Sequence, residues 1–255
     1  MNVTFRRIEL KKLHPLSISR GTTASTENLF VFVHDGPIAG VGELSPSTGS
    51  AWTAERGQEQ LTEFVANGGL NGVSIQKVWS KMKRAGIDPP AMAALDVALW
   101  DLHAKKAGMP LYELFGLSRP TVPTSVTIGL NPAEVTRERV PQILSGSGAK
   151  CLKIKLGSPE GREFDKSHFE AAREAARPFN ARLRVDANGG WTVEEAKMML
   201  GWLSEREVDY VEQPLVEGAE DGLHELYKDR PLPIFIDESC RFSSSRSPCP
   251  RCTPH

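Results

Sequence analysis

The chain has 255 residues, a formal net charge of −1, and the hydrophobic (40%) and charged (25%) fractions of an ordinary globular protein. A charge this balanced gives no basic surface for nucleic acid or for an anionic membrane. The first residues lack the apolar stretch of a signal peptide, and the sequence has no run of about 18 apolar residues. These features predict a cytoplasmic protein that binds neither nucleic acid nor membrane.

The first 120 residues predict a small α+β domain. Alternating and β-branched runs indicate strands, the Asp35-Gly36-Pro37 sequence indicates a turn, and apolar residues at three- and four-residue steps indicate helices. Polar stretches at 17–26 and 45–50 predict flexible loops. The predicted strands are 3–13, 28–34 and 38–44, and the predicted helices are 52–66, 74–85 and 90–107.

The helix predicted at 90–107 has the clearest pattern. Leu95, Leu99 and Leu102 share a face, and the alanines of the segment predict a close approach to another element. Gly108 follows as a stop signal. We interpret the apolar residues as core rather than as a cofactor site.

From residue 121 onward, strands and helices alternate, as in a parallel (β/α) barrel. The fold class is therefore α/β, with an α+β domain at 1–120 and a TIM-type barrel at 121–240 that is incomplete, because only five of the usual eight strands are predicted. The predicted strands are 123–128, 150–156, 181–186, 208–212 and 233–237; the predicted helices are 132–144, 163–177, 192–204 and 219–228.

The last residues, 241–255, are rich in Ser, Pro, Arg and Cys and show no periodicity. We expect a truncated or frame-altered end, and a tolerated flexible end is the alternative. Cys249 and Cys252 have the spacing of half a zinc site or of a redox pair, but no second pair exists in the sequence. Cys151 and Cys240 are expected to be plain buried thiols.

Three carboxylates each close a short apolar run: Asp186, Glu212 and Asp237. They are 26 and 25 residues apart, which suits one strand, one loop and one helix. All three should therefore lie at the carboxyl ends of neighbouring strands. Clustered carboxylates repel each other unless a cation lies among them, and hard oxygen ligands favour Mg²⁺.

One strand earlier, Lys153 and Lys155 should share a face of their strand, because side chains alternate with period two. Amines beside a carboxylate-bound metal suit the abstraction of a proton next to a carboxylate. A lysine base must be uncharged, and a neighbouring ammonium and a dication both favour that form. The alternative is that the acids only cap the following helices and that the lysines are solvated. The regular spacing of three acids after paired lysines favours the metal site.

Two long patterns with fixed internal spacing carry a further signal. They are Ala91-x-Ala93-Ala94-Leu95-Asp96-x-Ala98-Leu99-x-Asp101-Leu102-x-Ala104-Lys105, and Leu183-x-x-Asp186-x-Asn188 followed by Val211-Glu212-Gln213-Pro214. Together they resemble the enolase superfamily, in its mandelate racemase and muconate lactonizing enzyme branch. The resemblance covers residues 1–240 and implies that the first domain caps the barrel mouth with loops around 17–26 and 45–52.

The resemblance also implies roles for single residues. Asp186, Glu212 and Asp237 match the Mg²⁺ ligands, Lys155 matches the general base, and Lys153 matches its partner. The side chains expected to support the ligands are Asn188, Gln213 and Glu238, and those expected to contact the substrate are Arg20 and Thr127.

The implied activity is Mg²⁺-dependent abstraction of an α-proton from a carboxylate substrate through an enediolate. Epimerisation of a dipeptide or of an N-acylamino acid is favoured, in a muconate-lactonizing subgroup chain that resembles dipeptide epimerases, and a homo-oligomer is expected. The alternatives are a muconate-type cycloisomerase, an o-succinylbenzoate synthase, or an inactive truncated fragment. The family's opposing lysine comes from the strand after Asp237, and the sequence shows no such strand.

Overall fold

The computed structural model describes residues 1–48 and 51–240. The predictions for the tail 241–255, with Cys249 and Cys252, lie outside the described residues. The chain forms two compact units. The first comprises Met1–Leu13 and Thr23–Thr121, and the second comprises His14–Thr22 and the chain from Val122 onward.

The first unit is built on a three-stranded sheet in the order β1-β2-β3. Its strands are β1 (Asn2–Ile18), β2 (Gly21–Asp35) and β3 (Ile38–Leu44), and its helices are α1 (Ala54–Ala66), α2 (Ile75–Arg84), α3 (Pro89–Ala107) and α4 (Leu111–Leu114). Strands β2 and β3 are antiparallel, with Asp35 opposite Ile38. The three strands and the first three helices confirm the sequence prediction.

The predicted loop at 17–26 is wrong. Strand β1 continues to Ile18 and β2 begins at Gly21, so only Ser19 and Arg20 lie between the two strands. Threonine is β-branched and suits a strand, so this polar stretch continues the pairing instead of interrupting it.

The core of the first unit lies between β3 and α3. Leu95, Leu99 and Leu102 are buried, as expected. A Cβ added to Gly40 would lie 2.0 Å from the carbonyl oxygen of Ala98. The strand and the helix therefore approach each other as closely as the alanines predict, because neither contributes a bulky side chain there. Helix α3 ends at Ala107, and Gly108, whose φ of 68° is in the left-handed region, caps it.

The second unit is a five-stranded parallel sheet in the order β4-β5-β6-β7-β8. Its strands are β4 (Ser125–Ile128), β5 (Cys151–Lys155), β6 (Arg182–Asp186), β7 (Val208–Glu212) and β8 (Ile234–Phe235), and its helices are α5 (Ala133–Ser147), α6 (Arg162–Ala176), α7 (Val193–Ser204) and α8 (Asp221–Lys228). All four strand pairs are parallel. This arrangement agrees with the predicted incomplete (β/α) barrel of five strands.

Apolar side chains of these strands pack against the helices. Leu152, Ile154 and Val185 are fully buried together with Phe169 of α6. Burial of a side chain as large as Phe169 stabilises the fold by about 1.5–3 kcal/mol. Because side chains alternate along a strand, the residues between these apolar ones face the opposite side of the sheet. That side carries the polar residues of the candidate site.

Two local predictions for the second unit need correction. Strand β8 is shorter than predicted, so Asp237 lies two residues beyond its end. Cys151 is buried as expected, but Cys240 is exposed because it ends a short 3₁₀ turn at Glu238–Cys240 instead of lying within a strand. Among the described residues, no helix combines the length and the apolar character needed to span a bilayer.

Candidate active site

The carboxyl ends of three neighbouring strands bring charged side chains to one edge of the sheet. Asp186, the last residue of β6, lies opposite Lys155 of β5 and opposite Glu212 of β7 in the strand register. Lys153 lies two residues before Lys155 and points to the same side. Thr127 of β4 lies opposite Lys153. All five side chains therefore lie within two residues of the carboxyl end of their strand.

The two lysines bind the two acids directly. Nζ of Lys155 lies 2.6 Å from Oδ2 of Asp186. Nζ of Lys153 lies 2.9 Å from the same Asp186 oxygen and 2.6 Å from Oε1 of Glu212. Only 1% of the Asp186 side chain is exposed, so these contacts form where water screens them little. One ammonium group thus joins two carboxylates.

The charges of this cluster depend on one another. Burial alone would raise the pKa of Asp186, but the positive charges of Lys155 and Lys153 outweigh it and lower that pKa. Burial and the negative charge of Asp186 raise the pKa of Glu212 against the opposing hydrogen bond from Lys153. Burial alone would lower the pKa of Lys153, but the two carboxylates raise it. The positive charges of the two lysines therefore favour the carboxylate form of both acids against the effect of burial.

Asp237 is exposed and lies two residues beyond the end of β8. Desolvation raises its pKa, and the negative charges of Glu238 and Asp186 raise it further. Within residues 1–48 and 51–240, no three His, Cys, Asp or Glu side chains are grouped so that they could hold one metal ion. The three-ligand set therefore stays a prediction.

The donor chemistry of Asp186 and Glu212 nevertheless fits a divalent cation. Their ligating atoms are carboxylate oxygens, which Mg²⁺ prefers, and they already share one positive charge, that of Lys153. The lysine ammonium stands where a bridging cation would neutralise both acids. We therefore treat these two residues as compatible with the expected ion.

Asn188 and Gln213, which follow β6 and β7, hydrogen-bond to the acids, and Glu238 hydrogen-bonds to Asn188. The backbone N–H of Asn188 donates to Oδ1 of Asp186 at 2.9 Å, and its side-chain amide donates to Oε1 of Glu238 at 3.2 Å. Gln213 accepts the backbone N–H of Asp237 at 2.9 Å. Asn188 and Gln213 both have positive φ, 44° and 38°. Such backbone strain in residues other than glycine is concentrated at functional sites.

The turn between β1 and β2 reaches the same rim. Arg20 forms an ion pair with Glu238 at 2.7 Å and donates to the carbonyl oxygen of Asn188 at 3.1 Å. The hydroxyl of Ser19 donates to that carbonyl at 3.0 Å. A cavity of about 390 Å³ lies here, and these four residues and Gln213 line part of it. The substrate contacts assigned to Arg20 and Thr127 stay predictions.

Sequence reasoning missed two buried polar residues of α6. Asp165 accepts three hydrogen bonds from loop residues, and His168 shares a hydrogen bond of 2.7 Å with the hydroxyl of Thr136. An acid in the first turn of a helix is usually a solvated residue that favours the helix dipole, so the sequence gave Asp165 no special signal. The burial of both became visible only with the fold.

Comparison with known proteins identifies the family. Residues 1–116 match the mandelate racemase / muconate lactonizing enzyme N-terminal domain, and residues 136–245 match the enolase C-terminal domain-like family. The chain is 53% identical over 248 residues to a hydrophobic dipeptide epimerase of a Flavobacteria bacterium, covering 96% of this chain and 70% of that relative. The chain belongs to the mandelate racemase/muconate lactonizing enzyme family.

Two further dipeptide epimerases are similar to the chain in sequence or in structure. A hydrophobic dipeptide epimerase of Roseobacter litoralis is 52% identical over 244 residues, covering 95% of this chain and 70% of the relative. The crystal structure of a dipeptide epimerase from Enterococcus faecalis, complexed with Mg and the dipeptide L-Leu-L-Tyr, matches with a TM-score of 0.82 and 31% identity, covering 93% of this chain and 67% of that one. This chain is therefore an isomerase of the enolase superfamily, as the resemblance implies.

Proposed function

We propose that this chain removes the α-proton of a dipeptide, at the carbon next to the free carboxylate, in a Mg²⁺-dependent epimerase-type reaction. The observation that carries the proposal is the contact of Lys155 with Asp186 at 2.6 Å on a strand rim. That contact places an amine directly beside the acid expected to hold the metal. The hydrophobic dipeptide epimerases of a Flavobacteria bacterium and of Roseobacter litoralis support the substrate class.

In the proposed reaction, Lys155 Nζ takes the α-proton and Lys153 Nζ lies near the substrate carboxylate. Asp186 and Glu212, together with Asp237, would hold the Mg²⁺. When bound, Mg²⁺ supplies positive charge that stabilises the negative charge developing on the substrate carboxylate. Before Asp186 and Glu212 can hold an ion, Lys153 and Lys155 must release them, and this release also frees the amine that takes the proton.

Both lysines stand on the same side of the sheet, because they are two residues apart on β5. They account for proton removal on one face of the substrate. Inversion at the α-carbon also needs a proton donor on the opposite face. Exchange of the α-proton with solvent is therefore the part of the reaction that the described residues explain. The cytoplasmic location and the homo-oligomer stay predictions.

The test is deuterium uptake. The chain is incubated with MgCl₂ and L-Leu-L-Tyr in D₂O, and proton NMR follows the α-proton of the tyrosine residue. We expect deuterium at this position with the wild-type chain and none with Lys155→Ala. Lys150→Ala, which replaces an exposed lysine before β5, should exchange at the wild-type rate. Undiminished exchange by Lys155→Ala would refute the role of Lys155.

Adding a muconate as a second substrate, in a parallel incubation, separates the proposal from the alternatives. A cycloisomerase that uses the same half of the site should leave the dipeptide α-proton in place while it converts a muconate. An inactive fragment should do neither. Epimer formation, detected as D-tyrosine after hydrolysis, would show that the chain also supplies a proton donor on the second face.

A further inference from the structure

Asp165 is a buried carboxylate to which the proposed reaction gives no part. It stands in the first turns of α6, and only 1% of its surface is exposed. Its Oδ2 accepts the backbone N–H of Gly157 at 2.9 Å and the indole N–H of Trp191 at 3.1 Å, and its Oδ1 accepts the backbone N–H of Ser158 at 3.0 Å. All three partners donate, so they suit an ionised carboxylate, which only accepts.

These partners come from two different loops. The two backbone amides follow Lys155 by two and three residues, and the indole belongs to the residue five positions after Asp186. Between the loops, the backbone N–H of Leu156 donates to the carbonyl oxygen of Asp186 at 2.9 Å. One buried carboxylate therefore joins the chain that leaves Lys155 to the chain that leaves Asp186.

The two loops also touch through their backbones. Gly157 has a φ of 79°, and a Cβ added there would lie 2.4 Å from the carbonyl oxygen of Ala187. A Cβ added to Gly190 would lie 2.6 Å from the Cα of Gly157. This contact has no room for side chains, so a small shift of one loop toward the other would bring their backbones into collision. Asp165 provides hydrogen bonds to both.

Simple helix capping does not explain Asp165. The helix begins after Gly161, and the three partners of Asp165 all lie outside α6. Burial raises the pKa of Asp165, although the hydrogen bonds from Ser158, Trp191 and Gly157 act against that rise. A buried carboxylate costs free energy unless its hydrogen bonds are made, so the loops and the carboxylate need each other.

We propose that Asp165 is a positioning residue that fixes the loops behind Lys155 and Asp186 and so sets the distance between the amine and the carboxylate. The proposal deepens the proposed function and rests on it. Groups that react must be held within a fraction of an ångström, and residues behind the reacting groups commonly provide that precision.

The main test is Asp165→Asn. The amide has the size of the carboxylate, but its NH₂ group must face one of the three N–H donors, so at least one hydrogen bond is replaced by a repulsive contact. We expect kcat for α-proton exchange to fall about tenfold or more while KM for L-Leu-L-Tyr changes less than about twofold, because no substrate contact is removed. Hydrogen exchange should become faster at the amides of Leu156, Gly157 and Ser158.

The matched control is Ala172→Gly, a buried position on the same helix. Glycine there loosens α6 and lowers the stability of the fold without touching the loops. We expect its kcat to stay at the wild-type value and its three loop amides to exchange faster by no more than the loss of global stability requires. An Asp165→Asn chain that behaves like this control would overturn the proposal.

A second variant keeps the test valid if Asp165→Asn does not fold. Trp191→Phe removes one donor and leaves an aromatic ring in place; it should speed exchange at the Gly157 and Ser158 amides and lower kcat by a smaller factor. Wild-type behaviour in both readouts would contradict the proposal. If the wild-type chain exchanges no α-proton, the proposed function fails, and the Leu156, Gly157 and Ser158 amides still decide the role of Asp165.

Discussion

Gln213 holds Asp237 by its backbone: the side-chain oxygen of Gln213 accepts the Asp237 amide N–H at 2.9 Å. The Gln213 side chain is also a donor, to the carbonyl oxygen of Leu215 at 2.8 Å and to the hydroxyl of Ser239 at 2.9 Å. Because β8 ends two residues before Asp237, this amide side chain rather than strand pairing sets the position of the third acid. Gln213 itself is only 1% exposed.

Gln213→Leu should therefore weaken the binding of Mg²⁺. We expect the free energy of unfolding to fall by about 1–3 kcal/mol, because buried partners lose their hydrogen bonds, and the affinity for Mg²⁺ to fall about tenfold or more. Urea unfolding with and without MgCl₂ measures both. Gln60→Leu is the control, because Gln60 accepts the Asp88 amide at 3.1 Å in the other unit. An unchanged Mg²⁺ response in Gln213→Leu would contradict this role.

Lys153→Met should make the protein more dependent on Mg²⁺. The variant lacks the ammonium between Asp186 and Glu212, so the two carboxylates repel each other and stability without the ion falls by about 1–3 kcal/mol. The ammonium also competes with the metal, so Mg²⁺ should raise the Tm of the variant more than that of the wild type. Lys166→Met, which breaks a surface pair with Glu163, should show the wild-type response. Equal Mg²⁺ responses in both variants would count against the competition.

His168 should make the protein sensitive to mild acid. Burial lowers its pKa from 6.5 to about 4. Between these values the unfolded chain binds a proton that the folded chain does not, so stability is full above pH 6.5 and falls as the pH drops toward 4. The total loss is about 3 kcal/mol.

The measurement is urea unfolding at a series of pH values. His168→Gln cannot take up that proton. Its free energy of unfolding should therefore change less than that of the wild type as the pH falls from neutral to the folded-state pKa of His168, about 4. Other titrating groups are the same in both chains and cancel in the difference. Parallel curves would show that His168 contributes nothing to the pH dependence.

Gly157→Ala should damage the rim more than an ordinary glycine replacement. Its Cβ would lie 2.4 Å from the carbonyl oxygen of Ala187, so the loop after β5 must move. Gly161→Ala is the control: its φ of 93° also lies where alanine is rarely found, but its Cβ meets nothing within 4 Å. We expect the control to lose about 1–2 kcal/mol from backbone strain alone, and Gly157→Ala to lose more and to exchange the substrate α-proton more slowly. Equal losses would show that the loop has room to adjust.

Local pattern predicted the fold well where side chains alternate regularly. The strands at 38–44 and 208–212 have the predicted bounds, and α3 stops before Gly108, as predicted. The pattern failed at 17–26, where serines and threonines look like a loop but continue two paired strands. Pairing with a neighbouring strand decides such polar segments, and a single sequence does not show that pairing.

The candidate site was only partly accessible from sequence. Spacing predicted that Asp186 and Glu212 end neighbouring strands, since one strand, loop and helix fill the interval. It could not show that Lys153 and Lys155 bind these acids, because side-chain partners depend on distances across strands. Nor could it distinguish Asp165 from a solvated helix acid. The metal-ligand and base assignments stay predictions for the experiments above.

The two units are interleaved along the chain, because His14–Thr22 belongs to the second unit although the residues on both sides belong to the first. A chimera made by joining the first 121 residues of one homologue to the remainder of another would therefore exchange more than one unit. It would take the segment with Ser19 and Arg20 from one homologue and their partners, Asn188 and Glu238, from the other. A working chimera should therefore take the turn and its partners, Asn188 and Glu238, from the same homologue.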